Sequence, residues 1–446
     1  MATSTPDSVD TGAHAPDAEA KPATATSPPR ELKKTKKRTL GRRGVMWLGQ
    51  TCNARCYFCY FINRIEDKEH PEHPFMPLDK AKHICNVMRY FYGNTSVDIQ
   101  GGEPTIFPGI LDLVRHCHAI GLYPTLITNG LTLWKKGKLE AYREAGVRDW
   151  LVSLHGIGQA HDDVVRVKGG FGKIDRTIKR MQALGIPFRY NCTMSKPVVD
   201  VLPDVAQHAI DHGALAVNFI AFNPFGDQQT GQRTALNVAQ YSEIRENLAK
   251  SIDMLEQAGI EANVRYMPLC MAEPRHRKNF YNYKQLCYDH HEWDYASWLW
   301  TMMQTQMMRD GETTPPFHIG WRSHAIYRLN AQELRDKCAQ HPIKMGIKFK
   351  LQGLMARLEQ LRRGRKNIYI EEAELRAQAD CAYQYHEACK QCHARDICDG
   401  FHGDYAGFFG TGEAQPITDM PETHDPLHFI KDQAKLVEPE DEHWAL

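Results

Sequence analysis

A chain of 446 residues, 42% hydrophobic and 24% charged, has room for one large domain of roughly 200–250 residues and a smaller one, and its balance excludes a wholly disordered protein. A formal net charge of +1 offers no global electrostatic reason for a nucleic-acid partner, and none is expected. No apolar run approaches the roughly 20 residues that span a bilayer, and the N-terminus lacks the charged start and apolar stretch of a secretory signal, so a cytoplasmic chain without a membrane partner is expected.

Residues 1–30 are mostly Ala, Thr, Ser, Pro, Asp and Lys without an apolar period, which predicts a disordered tail. The run from Arg30 to Arg43, RELKKTKKRTLGRR, is strongly basic. It could touch phosphate or an acidic protein, but a solvated linker is the simpler expectation, so 1–43 is set apart from the folded chain.

From Gly44 to Gly226, short apolar runs alternate with helical patterns, the signature of strand and helix units around a parallel sheet. VMWLG at 45–49, VDIQ at 97–100, PTLIT at 124–128, DWLVSLH at 149–155, FRYNCTM at 188–194 and AVNFIAF at 216–222 read as six strands. Between them, LDKAKHICNVMRYFYG and GILDLVRHCHAIG place apolar residues three and four apart with Gly near their ends, which predicts amphipathic helices. The fold class is therefore α/β, a partial (β/α)6 barrel over 44–226 with its binding mouth at the C-terminal ends of the strands. Residues 227–378 read as a helical and aromatic-rich linking region. Its segment from Tyr266 to Trp300 could line a platform for a sugar or peptide, but packing between domains is the preferred expectation, since aromatics dominate cores. Residues 379–446 form a smaller cysteine-bearing domain, whose stretch DYAGFFGTGEAQPITD could cover the barrel mouth.

The chain has 13 cysteines, and in a reducing compartment these suggest metal ligands or reactive thiols before disulfides. Scattered ones such as Cys85 and Cys117 are expected to be small buried hydrophobes. Cys52, Cys56 and Cys59 form C-x3-C-x2-C directly after the first strand. Three thiolates can hold three irons of a 4Fe–4S cubane and leave the fourth open, an iron able to bind the amino and carboxylate groups of S-adenosylmethionine. A closed zinc site would need a fourth ligand that the sequence does not offer nearby.

This spacing, with aromatic Phe58 before the third cysteine, resembles the radical S-adenosylmethionine (radical SAM) superfamily. The resemblance extends to Gly101, Gly102, Glu103 and Pro104 after the second strand, similar to the family's GGEP segment, which implies contact with the cofactor's amino group. Glycines permit close backbone approach, and a carboxylate suits an ammonium. In the same register, Ser153 is implied to meet the ribose and Arg166, in the run His161–Arg166, the cofactor carboxylate. Thr128, Asn129 and Gly130 resemble the family's TNG turn, for which a plain turn role is equally open. Asn191 is expected either to face the cofactor or to satisfy backbone at a strand end.

Near the C-terminus, Cys389, Cys392 and Cys398 are spaced C-x2-C-x5-C and resemble the SPASM extension, but His402 stands where a further cysteine is usual. With Cys381 they could supply four thiolates for one auxiliary 4Fe–4S cluster, and Cys270 or Cys287 could replace one of them. A structural zinc knuckle is the rival.

The resemblance implies an enzyme that cleaves S-adenosylmethionine with an electron from an external donor such as flavodoxin or ferredoxin. The resulting 5′-deoxyadenosyl radical would take a hydrogen atom from a peptide or a small molecule such as a sugar or nucleotide. No residue is named as catalytic beyond the cofactor-binding set. The alternative is an iron–sulfur electron carrier or regulatory protein on the same scaffold.

Overall fold

The structure, a computed structural model, describes residues 33–59, 74–222, 237–305, 313–318, 331–380 and 383–446. The expected disordered tail and Cys381 lie outside them.

Strand β1 (Lys33–Thr35) pairs antiparallel with β10 (Lys435–Val437). The main sheet has eight parallel strands in sequential order: β2 (Gly44–Trp47), β3 (Ser96–Gln100), β4 (Tyr123–Thr128), β5 (Asp149–Ser153), β6 (Phe188–Met194), β7 (Ala216–Ala221), β8 (Glu261–Arg265) and β9 (Phe280–Tyr281). All six expected strands are present. The helices between them include α1 (Leu78–Val87), α2 (Ile110–Ala119), α3 (Lys138–Ala145), α4 (Gln159–Val165), α5 (Gly170–Ala183), α6 (Leu202–His212) and α7 (Tyr241–Gln257).

Strand alternation decides which residues meet the helices. Trp150 and Val152 of β5, and Phe188, Tyr190 and Cys192 of β6, join the buried apolar cluster shared with Ile174, Ile178 and Met181 of α5. Their neighbours in sequence, Asp149, Ser153, Arg189 and Asn191, therefore share the opposite, inner face. That face is polar, which is why these strands do not read as continuous apolar runs.

The sheet does not end near residue 226 as expected, because β8 and β9 extend it. The run EANVR lacks an apolar pattern since its inward residues are Glu261, Asn263 and Arg265. Burial is offset by partners the sequence keeps far away: Lys435 lies 2.9 Å from Glu261, and Arg265 lies 3.1 Å from Asp289 and 2.5 Å from Glu292. Trp293 forms a parallel bridge with Arg43 just before β2, so chain leaving the last strand returns beside the first.

The basic run is not a solvated linker in its second half. Arg38, Arg42 and Arg43 are buried. Arg43 lies 2.9 Å from Asp98 and 3.3 Å from Glu438, and it donates to Thr125 Oγ1 at 3.0 Å. Arg189 pairs with Asp149 at 2.8 Å, and Lys435 with Asp289 at 3.0 Å. These charges gather toward the N-terminal ends of the strands, where residues from the C-terminal segment complete the pairs. A ligand is thereby left the opposite end, at the strand C-termini.

The aromatic segment is packing, as preferred. Tyr281 and Trp300 are fully buried, and Trp293 donates its indole N–H to Asp98 at 3.0 Å. The stretch from Asp404 onward packs against the helix that follows β7. Tyr405 stacks on Tyr241 at 3.8 Å, and Glu413 accepts from Ser242 N at 2.8 Å, which seats the stretch on the start of α7.

Candidate functional site

The loop after β2 carries Cys52, Cys56 and Cys59, all half-buried. Two backbone hydrogen bonds, Arg55 N to Val165 O at 3.0 Å and Tyr57 N to Val164 O at 3.3 Å, clamp it to the end of α4. Tyr57 donates to Ser195 Oγ at 2.5 Å, and Phe58 packs edge-on against His155 at 4.7 Å. Burial pushes the Cys52 thiol up to about 12, with Glu103 and Cys59 adding to it. Burial and the two other cysteines also push Cys56 well up, while Arg166 acts the other way. Cys52 and Cys56, held against ionisation by burial and by neighbouring cysteines, suit a cationic centre that offsets their charge.

The GGEP segment is held against this loop by backbone. Gly102 N donates to Gly49 O at 2.7 Å and Glu103 N to Thr51 O at 2.9 Å. A Cβ on Gly102 would lie 2.0 Å from Thr51 O, so only glycine permits this approach. Pro104 opens a short 3-10 turn, Pro104–Ile106, which Glu103 caps.

The Glu103 carboxylate also has a local structural role. It is buried and accepts from Thr105 N (3.0 Å), Thr105 Oγ1 (2.6 Å), Thr128 Oγ1 (2.7 Å) and Asn129 N (2.8 Å). Three of these donors converge on Oε1 and Asn129 N alone meets Oε2. Glu103 therefore fixes the turn at 128–130 through Oε1 and keeps an acceptor position on Oε2. That turn in turn meets the cysteine loop: Asn129 Nδ2 donates to Asn53 Oδ1 at 2.7 Å and reaches Cys52 Sγ at 3.8 Å.

Ser153 and Asn191 are cross-strand partners, and Asn191 pairs in register with Asn218. Both Ser153 and Asn191 are half-buried on the inner face of the sheet. Arg166 is exposed at the end of α4 with φ +55°, a left-handed conformation. The rest of its motif is structural. His161 Nδ1 accepts from His155 N at 3.2 Å, and Asp162 accepts from Gly169 N at 2.6 Å and Phe171 N at 2.7 Å, fastening the start of α5.

A second group surrounds a small cavity lined by Cys270, Cys389, Cys392 and Cys398 with Leu269, Phe401 and Ile417 among its walls. Cys389 and Cys392 act electrostatically on Cys270, and burial with these neighbours pushes its thiol up to about 11. Gly400 N reaches Cys398 Sγ, and Ile417 N reaches Cys392 Sγ, each at 3.4 Å. Of the two reserve cysteines weighed from the sequence, Cys270 joins this group and Cys287 does not, since Cys287 donates to Ala373 O at 3.1 Å. His402 caps a short helix through Asp404 N at 3.3 Å and does not line the cavity.

Zinc and a cubane demand different spacings. Four sulfurs about 2.3 Å from one zinc stand about 3.8 Å apart. Among the described residues, the sets of three His, Cys, Asp or Glu whose ligand atoms all fall within 4.8 Å are Asp175, His208, His212 and Asp289, His290, His291, with no cysteines. The sulfurs of both groups are thus too spread for one zinc ion, while an iron–sulfur cluster needs wider spacing. The donor chemistry of both sets, thiols alone, is that of an iron–sulfur cluster.

Cysteine loop, glycine cradle and parallel strands define a class of protein. Residues 48–201 match the family model of the Radical SAM superfamily. Relatives include PqqA peptide cyclase of Ruegeria pomeroyi, 32% identical over 145 residues, 32% of this chain and 38% of that protein. AdoMet-dependent heme synthase of Methanosarcina barkeri is 30% identical over 149 residues, 33% of this chain and 42% of that protein. The chain thus matches about two fifths of the length of each. Among solved structures, SuiB of Streptococcus suis, in a crystal structure bound to S-adenosylmethionine, is 19% identical with a TM-score of 0.42, covering 51% of each chain.

Proposed function

We propose that this chain is a radical SAM enzyme that acts on a peptide or a small molecule. The carrying observation is the convergence of Cys52, Cys56 and Cys59 with the Gly101–Gly102 backbone on one side and Arg166 on the other. The three thiolates would hold a 4Fe–4S cluster with one iron free for S-adenosylmethionine. When bound and reduced, this pair supplies a 5′-deoxyadenosyl radical that takes a substrate hydrogen.

The chain's own part is placement and exclusion. Gly101 and Gly102 let backbone carbonyls approach an ammonium, the Arg166 guanidinium suits a carboxylate, and Ser153 with Asn191 offers hydrogen bonds to a ribose. The buried ion pairs at the opposite end of the barrel keep water from entering there. Cys270, Cys389, Cys392 and Cys398 would hold an auxiliary 4Fe–4S cluster. The relatives, a peptide cyclase and a heme synthase, support a substrate in either class. A one-electron donor such as flavodoxin or ferredoxin is required.

The test is anaerobic reconstitution, reduction and measurement of 5′-deoxyadenosine from S-adenosylmethionine. Formation by the wild-type chain and its abolition in Cys56→Ala are expected. Normal cleavage by Cys56→Ala, or none by the cluster-loaded wild type, would refute the reading, and the latter would leave an iron–sulfur electron carrier.

A further inference from the structure

Helix α8 (Pro342–Arg363) is inverted relative to a helix that serves a core. Met345 is buried, and Gly353 and Ala356 are half-buried on the inward side, with Gly353 next to His318. Ile343, Ile347, Leu351, Leu354, Leu358 and Leu361 instead face solvent, with exposures between 53% and 85%. Met355, 56% exposed, lies beside them. At about 100° per residue, these side chains fall within an arc of about 120°, and the stripe runs about 27 Å along the helix.

Charge borders this stripe on both sides. Lys344, Lys348 and Arg362 follow one flank, Lys350 and Arg357 the other, and all five are exposed. The one acidic residue of the helix, Glu359, is half-buried and pairs with Arg363 at 3.4 Å.

Three occupants can be compared. A second copy would use the heptad spacing of Ile347, Leu351, Leu354, Leu358 and Leu361. The positions flanking that seam are Lys348, Lys350, Arg357 and Arg362, so cations would oppose cations. A peptide laid in a groove needs walls, and side chains more than half exposed have none. A bilayer surface needs neither walls nor register: it takes a broad apolar stripe into the acyl boundary and receives flanking cations at its phosphates.

We propose that α8 is a surface-lying amphipathic helix that docks this chain on an anionic phospholipid membrane. No helix among the described residues is long and apolar enough to cross a membrane, so the contact is peripheral. The sequence expectation of no membrane partner rested on spanning segments, which is a separate physical requirement.

The test is flotation of the full-length, cluster-loaded protein with phosphatidylcholine vesicles containing or lacking phosphatidylserine. At least tenfold more protein should float with the anionic vesicles, and salt should reduce it. Leu351→Glu/Leu358→Glu should abolish flotation while iron content and S-adenosylmethionine binding stay unchanged. Lys348→Glu/Arg357→Glu, which keeps the apolar stripe, should lose the preference for phosphatidylserine. Absence of flotation by the wild type, or equal flotation by the leucine variant, would overturn the proposal. So would a dimer in light scattering that the leucine variant dissociates without any vesicle binding, which would make the stripe a self-association seam.

Discussion

Arg166 occupies a backbone conformation that costs a non-glycine residue about 1–2 kcal/mol, and its guanidinium favours the ionised form of the Cys56 thiol. Lysine at this position would bear the same backbone strain, so Arg166→Lys isolates the head group. Losing a bidentate grip on a carboxylate should weaken S-adenosylmethionine binding by about 1.5–3 kcal/mol, roughly tenfold or more in Kd, with iron content unchanged. Titration of the cofactor into the anaerobic, cluster-loaded variant measures this. An unaltered Kd would take Arg166 out of the site and leave the cysteine assignments standing. Glu103 shows what residue type alone leaves out: its Oε1 gathers Thr105 and Thr128, and its Oε2 takes Asn129 N, so it also holds the neighbouring turn.

Among the elements, the second cysteine group is assembled from distant pieces. Cys389, Cys392 and Cys398 are local, whereas Cys270 sits in the 3-10 turn Leu269–Met271 shortly after β8. The extension of the sheet by β8 therefore brings the fourth thiol to the other three. Cys270→Ala should lower iron from about eight to about four per chain while S-adenosylmethionine cleavage persists, because the first cluster would keep its three ligands. Iron analysis beside a 5′-deoxyadenosine assay checks both halves. Full iron content in the variant would show that another residue completes the set.

At the scale of the whole molecule, buried charge and buried imidazole govern stability in acid. Burial alone would raise Asp149, but Arg189, Arg43 and Arg148 overcome it and hold the carboxyl at about 2. Its contribution is present above its unfolded pKa of about 3.9 and is lost as pH falls toward 2. His155 and His161 act earlier. Burial lowers them to about 3 and about 4, with each kept as a neutral acceptor of a backbone N–H. An unfolded imidazole titrates near 6.5, so below that pH the unfolded chain binds more protons and stability declines until the folded pKa is reached. Urea midpoints should fall between about pH 6.5 and 4, and His155→Asn should flatten that slope. A midpoint independent of pH across this window would contradict the assignment of neutral buried histidines.

The strand runs, the C-x3-C-x2-C loop and the GGEP segment were legible in sequence because each is local: period-two burial, or ligands within eight residues of one another. β8 escaped because its inward side chains are polar or charged, and their partners lie on β10 and in the segment 289–292. The buried half of the basic run escaped for the same reason, since burial of Arg43 depends on Asp98 and Glu438, far apart in the chain. The sequence by itself determined the parallel α/β architecture and the first thiol triad, both set by short-range periodicity and spacing. Only the tertiary structure decided that Cys270 joins the second group, that Glu103 holds the turn at 128–130, and that the leucine stripe of α8 faces outward, because each depends on which distant groups compete for the same atoms or the same buried surface.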